Sequence, residues 1–208
     1  MDLQSDKYQL GFSQQHRNAM RNRRARGKKA LTIIAVLRDF YSGDIENLTV
    51  LDIGSSTGII ARVLSNHFGK VVGINIDKPA VEYAANQFSD RNISFSVADS
   101  MDLAFEADQF DVVICAQVYE HVPDAAQLMR EIHRVLKPGG VCYFAAGNRL
   151  MLMGPHYRLP FLSIIPISLA KRYVRLTGKG NIYYEHHLTF RGSKSSSYPS
   201  NGSITLIN

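Results

Sequence analysis

Only two cysteines occur in the 208 residues, Cys115 and Cys142. That is too few for a disulfide framework, and both fall inside apolar runs that read as strands. They are expected to be buried, reduced thiols in a cytoplasmic protein. No apolar run reaches the ~20 residues that a bilayer-spanning helix needs. The longest late run, residues 159–170, is broken by Pro160 and Pro166. The opening residues are polar and basic, without the apolar stretch of a secretory leader, so a soluble chain is expected. Two nucleotide signatures are also missing. No Gly-Lys-Ser/Thr follows the glycine turn at residue 54, which excludes a phosphate loop. The turn also lacks the G-x-G-x-x-G that opens a dinucleotide site, which speaks against nicotinamide and flavin cofactors.

What is present fits one α/β domain with a small appendage. A hydrophobic share of 45% argues against global disorder. The net charge of +6 is unevenly placed. Arg17, Arg21, Arg23, Arg24, Arg26, Lys28 and Lys29 cluster near the start. Such a cluster reads as a solvated basic helix start, or as a contact for nucleic acid or an anionic membrane surface.

Residues 1–13 show no periodicity. From about residue 18 to 41, Ala30, Ile33, Ile34, Leu37, Phe40 and Tyr41 recur at helical spacing, and Ser42-Gly43-Asp44 ends the helix. A strand is expected over 49–53, then a turn, then a helix with Ile60, Val63, Leu64 and His67 on one face. A β-branched strand over 70–76 follows, and Asp77 reads as the N-cap of a helix over 78–88, with Pro79 tolerated in its first turn. A third strand covers 93–98, and the connection 100–109 carries no full helix. The run 110–116 is a continuous apolar strand. Asp124 and Gln127 have capping-box spacing for a helix that buries Ala125, Leu128, Met129, Ile132, Val135 and Leu136. Lys137-Pro138-Gly139-Gly140 stops it, and 141–146 is a fifth strand.

Strands that alternate with helices predict a doubly wound, mainly parallel sheet in a three-layer α/β fold. Ligands in such sheets lie beyond the C-terminal ends of the strands. Asp52, Asn75, Asp99 and Gln117 fall at four of those ends. Between the first strand and its helix the chain reads Asp52-Ile53-Gly54-Ser55-Ser56-Thr57-Gly58, whose glycines permit close backbone approach to a ligand.

These stretches resemble, in order and spacing, the signatures of class I S-adenosylmethionine-dependent methyltransferases, in the type 11-like form. Residues 50–58 look like the first motif, acidic-x-Gly-x-Gly-x-Gly, with Ser56 in place of the middle glycine. Residues 71–75 are similar to the second motif. Ala98-Asp99-Ser100 with Leu103-Ala104-Phe105 resembles the adenine-side segment. Residues 110–113, 120–124 and 136–140 look like the remaining signatures, so the resemblance spans about residues 30–150. It implies a Rossmann-like fold and S-adenosyl-L-methionine as cofactor, held by Asp52, Gly54, Ser55, Ser56, Gly58, Asn75, Ile76, Asp99, Ser100 and Gln117. The turn's N–H groups suit the cofactor's carboxylate, and Asp52 its amino group. Asp99 suits the adenine amino group.

Asn75 departs from the family pattern, which has a carboxylate there for the ribose hydroxyls. An amide offers one acceptor oxygen and no charge, so Asn75→Asp is expected to tighten cofactor binding. His121 is the candidate base beside the methyl group, or an anchor for the following helix. The segment 117–121 resembles the metal-assisting segment of ubiquinone-pathway O-methyltransferases. Gln117 stands where that pattern has glutamate, so no metal is expected.

After the fourth strand the chain reads Cys115-Ala116-Gln117-Val118, not the Asn/Asp-Pro-Pro-aromatic motif of base-methylating enzymes, which speaks against a nucleic-acid substrate. The Met- and aromatic-rich stretch from Leu150 to Phe161 suggests an apolar or amphipathic small-molecule acceptor, lipid-like or saccharide-linked, whose polar end meets His156, Tyr157 and Arg158. A helix basic on one side over 168–176 suits contact with a membrane surface. Family members close with a helix and an antiparallel strand pair. Here a serine-rich stretch precedes one short apolar run, 204–207, so an atypical or truncated end is expected. The expected organisation is a basic segment and helix (1–42), a cofactor-binding core (43–149), a substrate-side lid (150–190) and a flexible tail (191–208). The expected function is methyl transfer by displacement at the sulfonium carbon. The alternatives are a non-catalytic module that binds the cofactor or a partner, and an RNA methyltransferase.

Overall fold

The structure, a computed structural model, describes residues 13, 22–88, 90, 92–145, 167–178 and 205–207. The described chain opens with α1 (Arg23–Phe40), capped at its start by Asn22, whose side chain accepts from the N–H of Ala25. Then follow β1 (Thr49–Ile53), α2 (Ile59–Leu64), β2 (Lys70–Asn75), α3 (Lys78–Gln87), β3 (Ile93–Val97) and β4 (Phe110–Ala116). A 3-10 turn over Tyr119–His121 leads to α4 (Ala125–Val135), β5 (Leu136–Ala145), α5 (Ile167–Leu176) and β6 (Thr205–Ile207). The strands form one sheet in the order β3-β2-β1-β4-β5-β6. Every adjacent pair is parallel.

The sheet is buried on both faces, which is why its strands read as apolar runs. Val50, Val71, Val112, Ile114, Val141 and Tyr143 face α1 and α2, against Ile33, Ile34, Leu37, Ala61 and Leu64. The alternate residues Leu51, Ile53, Val72, Ile74, Val113, Cys115 and Cys142 face α4, against Leu128, Ile132 and Val135. Period-2 alternation therefore divides the strands between two apolar layers. Each fully buried Leu or Ile contributes roughly 1.5–3 kcal/mol relative to exposure. Both cysteines are buried free thiols, and burial pushes Cys142 up to about 12. No helix of the described residues is long and apolar enough to cross a membrane.

Four boundaries or packing roles differ from the sequence expectations. Helix α2 stops at Leu64, and His67 lies in the following turn, with its Nδ1 3.2 Å from Nη2 of Arg38. Phe68 supplies the buried contact instead. Strand β5 starts at Leu136, because Leu136 pairs with Phe110 before a register shift carries the pairing on to Val112 and Val141. Gly139, at φ +79, lets the chain turn within that irregularity. On α4, Glu131 joins the buried face beside Leu128, Ile132 and Val135. Asp77 occupies the N-cap position of α3, yet its side chain makes no capping bond. The chain's last described element, β6, extends the sheet as a parallel neighbour of β5. Among the described residues the family's antiparallel closing pair is absent.

Strand order reverses between β1 and β4, so the chain leaves these two neighbours toward opposite faces of the sheet. The crevice beyond their C-terminal ends is the topological switch point.

Candidate functional site

A cavity of about 350 Å³ opens there, within the size range of small-molecule sites. Asp52, Gly54, Ser56, Asn75, Ile76, Asp99, Ser100, Gln117 and His121 all line it. Four strand ends thus bring the sequence-predicted residues together. Ser55 and Gly58 are not among the lining residues. Ser55 is buried with an unpartnered hydroxyl, and Gly58 begins α2. His156, Tyr157 and Arg158 lie outside the described residues.

The glycine turn is tightly built. Gly54 has φ +76, and a Cβ there would stand 2.5 Å from Cγ2 of Val118. Ser56 takes φ +54, a left-handed conformation costing a non-glycine residue roughly 1–2 kcal/mol. For three of the turn's N–H groups the partners are internal. The N–H groups of Gly54 and Ser55 both donate to the carbonyl of Ile74 at 2.9 Å, and that of Gly58 donates to Ser55 at 3.0 Å. Those three donors lock the turn to β2 and close it on itself, so they are not offered to a carboxylate.

The positive groups come from elsewhere. Arg26 and Lys29 of α1 line the cavity, and Nζ of Lys29 donates to Oε1 of Gln117 at 3.4 Å. Burial lowers the proton affinity of Arg26, and the Asp52 carboxylate partly offsets this. Asp52 is 4% exposed, and its Oδ2 has no hydrogen-bond partner. Burial pushes its carboxyl up to about 7, with Arg26 pulling the other way. A buried, unpartnered carboxylate oxygen in a cavity that also holds a guanidinium and an ammonium suits a zwitterion: the acid takes its amino group, the bases its carboxylate.

The basic cluster reads in sequence as a solvated helix start or a contact for nucleic acid or an anionic membrane surface, and neither reading places Arg26 and Lys29 on the cavity wall. One signal could have found Arg26. Ala30, Ile33 and Leu37 form the buried stripe of α1, and extending it back by one turn lands on position 26. Ser13, Asp77, Val118 and Val122 were missed as lining residues too.

On the other side, Oδ1 of Asp99 accepts from the N–H of Met101 at 2.9 Å, which shapes the loop after β3. The connection 103–105 is held by α4. Glu131 accepts from the N–H of Leu103 at 2.8 Å, while Arg134 donates to the carbonyls of Leu103 and Phe105 at 2.7 and 2.6 Å. His121 lines the cavity from the 3-10 turn after β4. Among the described residues, no group of three or more His, Cys, Asp or Glu side chains is placed to hold a metal ion.

Residues 51–144 match the family model described as "Methyltransferase domain". Among curated proteins, the chain is 30% identical over 102 residues to a ubiquinone biosynthesis O-methyltransferase of Coxiella burnetii, covering 48% of this chain and 44% of that one. It is 30% identical over 160 residues to the enzyme of that name in Acinetobacter baylyi, covering 75% and 63%. The chain thus spans about half to three fifths of the length of these relatives. Two solved structures share the fold. One is the YcgJ protein of Bacillus subtilis, with TM-score 0.58, 19% identity and coverage of 81% and 66%. The other is an S-adenosylmethionine-dependent methyltransferase from Mesorhizobium loti, with TM-score 0.58, 22% identity and coverage of 74% and 73%.

S-adenosylmethionine has a zwitterionic amino-acid end, a ribose diol and an adenine, and the unpartnered Asp52 oxygen in the cavity it shares with Arg26 and Lys29 fits the first of these. Motif order, parallel sheet, switch-point cavity and family match agree: residues 51–144 are a methyltransferase domain of the class I S-adenosylmethionine-dependent type.

Proposed function

We propose that this chain binds S-adenosylmethionine in the switch-point cavity and methylates a small-molecule acceptor, lipid-like or saccharide-linked. The observation that carries this reading is the buried Asp52 carboxylate, with one oxygen unpartnered, in a cavity that also holds Arg26, Lys29 and Asp99. When bound, the cofactor supplies a methyl group on a sulfonium centre, open to displacement by a nucleophile. Asp52 holds the amino group, and Arg26 and Lys29 neutralise the carboxylate. Asp99 and Ser100 flank the adenine. Ile53, Ile60 and Val118 exclude water around the reacting centre. His121 positions the acceptor and takes its proton, and alignment supplies most of the rate because the leaving group is already good.

The acceptor class is supported by the relatives, which are O-methyltransferases of ubiquinone biosynthesis by name. It is also supported by α5, which carries exposed Leu169 and Leu176 beside exposed Arg172 and Arg175, a surface suited to an amphipathic acceptor at a membrane.

Calorimetry with S-adenosylhomocysteine, followed by radiolabelled methyl transfer into lysate fractions treated with RNase or extracted for lipid, tests the proposal. Binding, with label in the lipid or small-molecule fraction, is the expected result. Absence of binding overturns the reading. Binding without transfer in any fraction points to a non-catalytic module. Label lost on RNase treatment assigns the acceptor to RNA.

A further inference from the structure

We propose that the carboxylate holding the cofactor ribose has moved two residues along the chain, to Asp77, and that Asn75 serves as a donor beside it. The inference rests on the cofactor reading above and concerns how this chain departs from its family.

The two side chains have exchanged tasks. Asp77 follows β2 and stands where the cap of α3 belongs, but its carboxylate bonds nothing in that helix. Instead, Oδ1 of Asn75 accepts from the N–H of Asp77 at 2.8 Å. That bond engages the one acceptor oxygen of the Asn75 amide and leaves its NH2 group as the donor. An Asn75 held this way has one of the two lone pairs of its oxygen committed to the backbone, which leaves it a poorer hydroxyl acceptor than a carboxylate with a free oxygen.

The Asp77 carboxylate is 4% exposed and lines the cavity. Its Oδ2 accepts from the N–H of Ser13 at 2.8 Å, which fixes the plane of the group. Its Oδ1 is buried without a partner. A buried, unpartnered carboxylate oxygen is costly unless something completes it, and the cavity it lines is the place from which a donor can come. Across the cavity Asp52 serves the amino-acid end and Asp99 the adenine side, so the donor that Asp77 meets is a hydroxyl of the ribose between them. A vicinal diol matches the pair well: one hydroxyl donates to Oδ1 of Asp77, and the oxygen of the other accepts from the Asn75 amide. The charge that the family keeps at position 75 is thus retained at 77.

The sequence alone leads to the opposite expectation for Asn75→Asp. With a carboxylate already at 77, a second one at 75 adds like-charge repulsion and removes the donor.

The test is calorimetric and needs no turnover. S-adenosylhomocysteine and its 2′-deoxy and 3′-deoxy analogues are titrated into wild type, Asp77→Asn and Asn75→Asp. In wild type, one deoxy analogue is expected to bind about tenfold or more weakly, the cost of a charge-assisted hydrogen bond. The other is expected to bind only a few-fold more weakly. Asp77→Asn keeps an acceptor for Ser13, weakens S-adenosylhomocysteine by about tenfold and erases the larger deoxy penalty. Asn75→Asp does not tighten binding. Unchanged affinity in Asp77→Asn with both deoxy penalties intact, or tighter binding by Asn75→Asp, overturns the inference while leaving the cofactor reading in place. Equal binding of both deoxy analogues and the parent by wild type overturns it without recourse to any variant. If wild type binds none of the three, the cofactor reading itself fails.

Discussion

Arg26 and Asp52 act on each other across the site, though one sits on the first described helix and the other on the central strand. Burial lowers the proton affinity of the guanidinium and raises that of the carboxylate, and each partly reverses the shift of the other. Burial leaves Oδ2 of Asp52 without a hydrogen-bond partner.

The first prediction concerns pH. The Asp52 carboxyl rises on folding from an ordinary 3.8 to about 7. A folded-state value above the unfolded one stabilises the fold at acid pH, and that contribution is lost as pH rises through about 7. Asp52→Asn does not titrate, so it should gain stability relative to wild type between about pH 4 and 7, with a constant difference above that window. Urea unfolding at intervals across this range checks it. A difference that does not vary with pH counts against a buried, uncompensated carboxylate.

A second prediction separates backbone strain from crowding. Gly58 has φ +73, and a Cβ there would stand 2.7 Å from Cζ of Phe95 and 2.8 Å from Cβ of Ala84. Gly139 has a similar φ of +79 but nothing within 4 Å. Gly139→Ala should therefore cost about 1–2 kcal/mol, for the dihedral alone. Gly58→Ala should cost about 2–4 kcal/mol, because overpacking against β3 and α3 is added. Equal losses in denaturant melts would show that Phe95 yields freely.

The third prediction concerns the connection after β3. Arg134 donates to the carbonyls of Leu103 and Phe105 and pairs with Glu131 at 2.7 Å. Arg134→Leu should destabilise the protein by about 1–3 kcal/mol, since carbonyls lose charged donors. Hydrogen exchange should rise in the connection 100–106 before it rises in β4. Exchange that rises uniformly would place the role of Arg134 in global stability, not in holding that loop.

Much of this was legible beforehand, and the exceptions have physical reasons. Strands β1 and β4 were bounded correctly because both are central, and burial on two faces leaves continuous apolar runs. The strand-end residues Asp52, Asn75, Asp99 and Gln117 were legible because parallel topology fixes which end faces the site. Helix α2 was drawn too long, since Ser65-Asn66-His67 keeps a helical pattern while the chain already turns. The start of β5 was placed late because Pro138-Gly139-Gly140 reads as a breaker, whereas the strand absorbs it as an irregularity. Arg26 was obscured because a run of charges shows sign but not direction. Asp77 was read as a cap because its position was right; which of two neighbouring polar side chains bonds the backbone is a choice that only geometry displays.

The matched domain begins at Leu51, yet one wall of the cavity, Arg26 and Lys29, lies well before it, on a helix whose later turns join the same core as β1 and β2. The matched stretch is therefore shorter than the stretch that lines the cavity. The common stretch carries the cradle, and the chain ahead of it supplies the charges that complete the cradle. Under the proposed function, substitutions on that helix would change cofactor grip while leaving the matched stretch untouched.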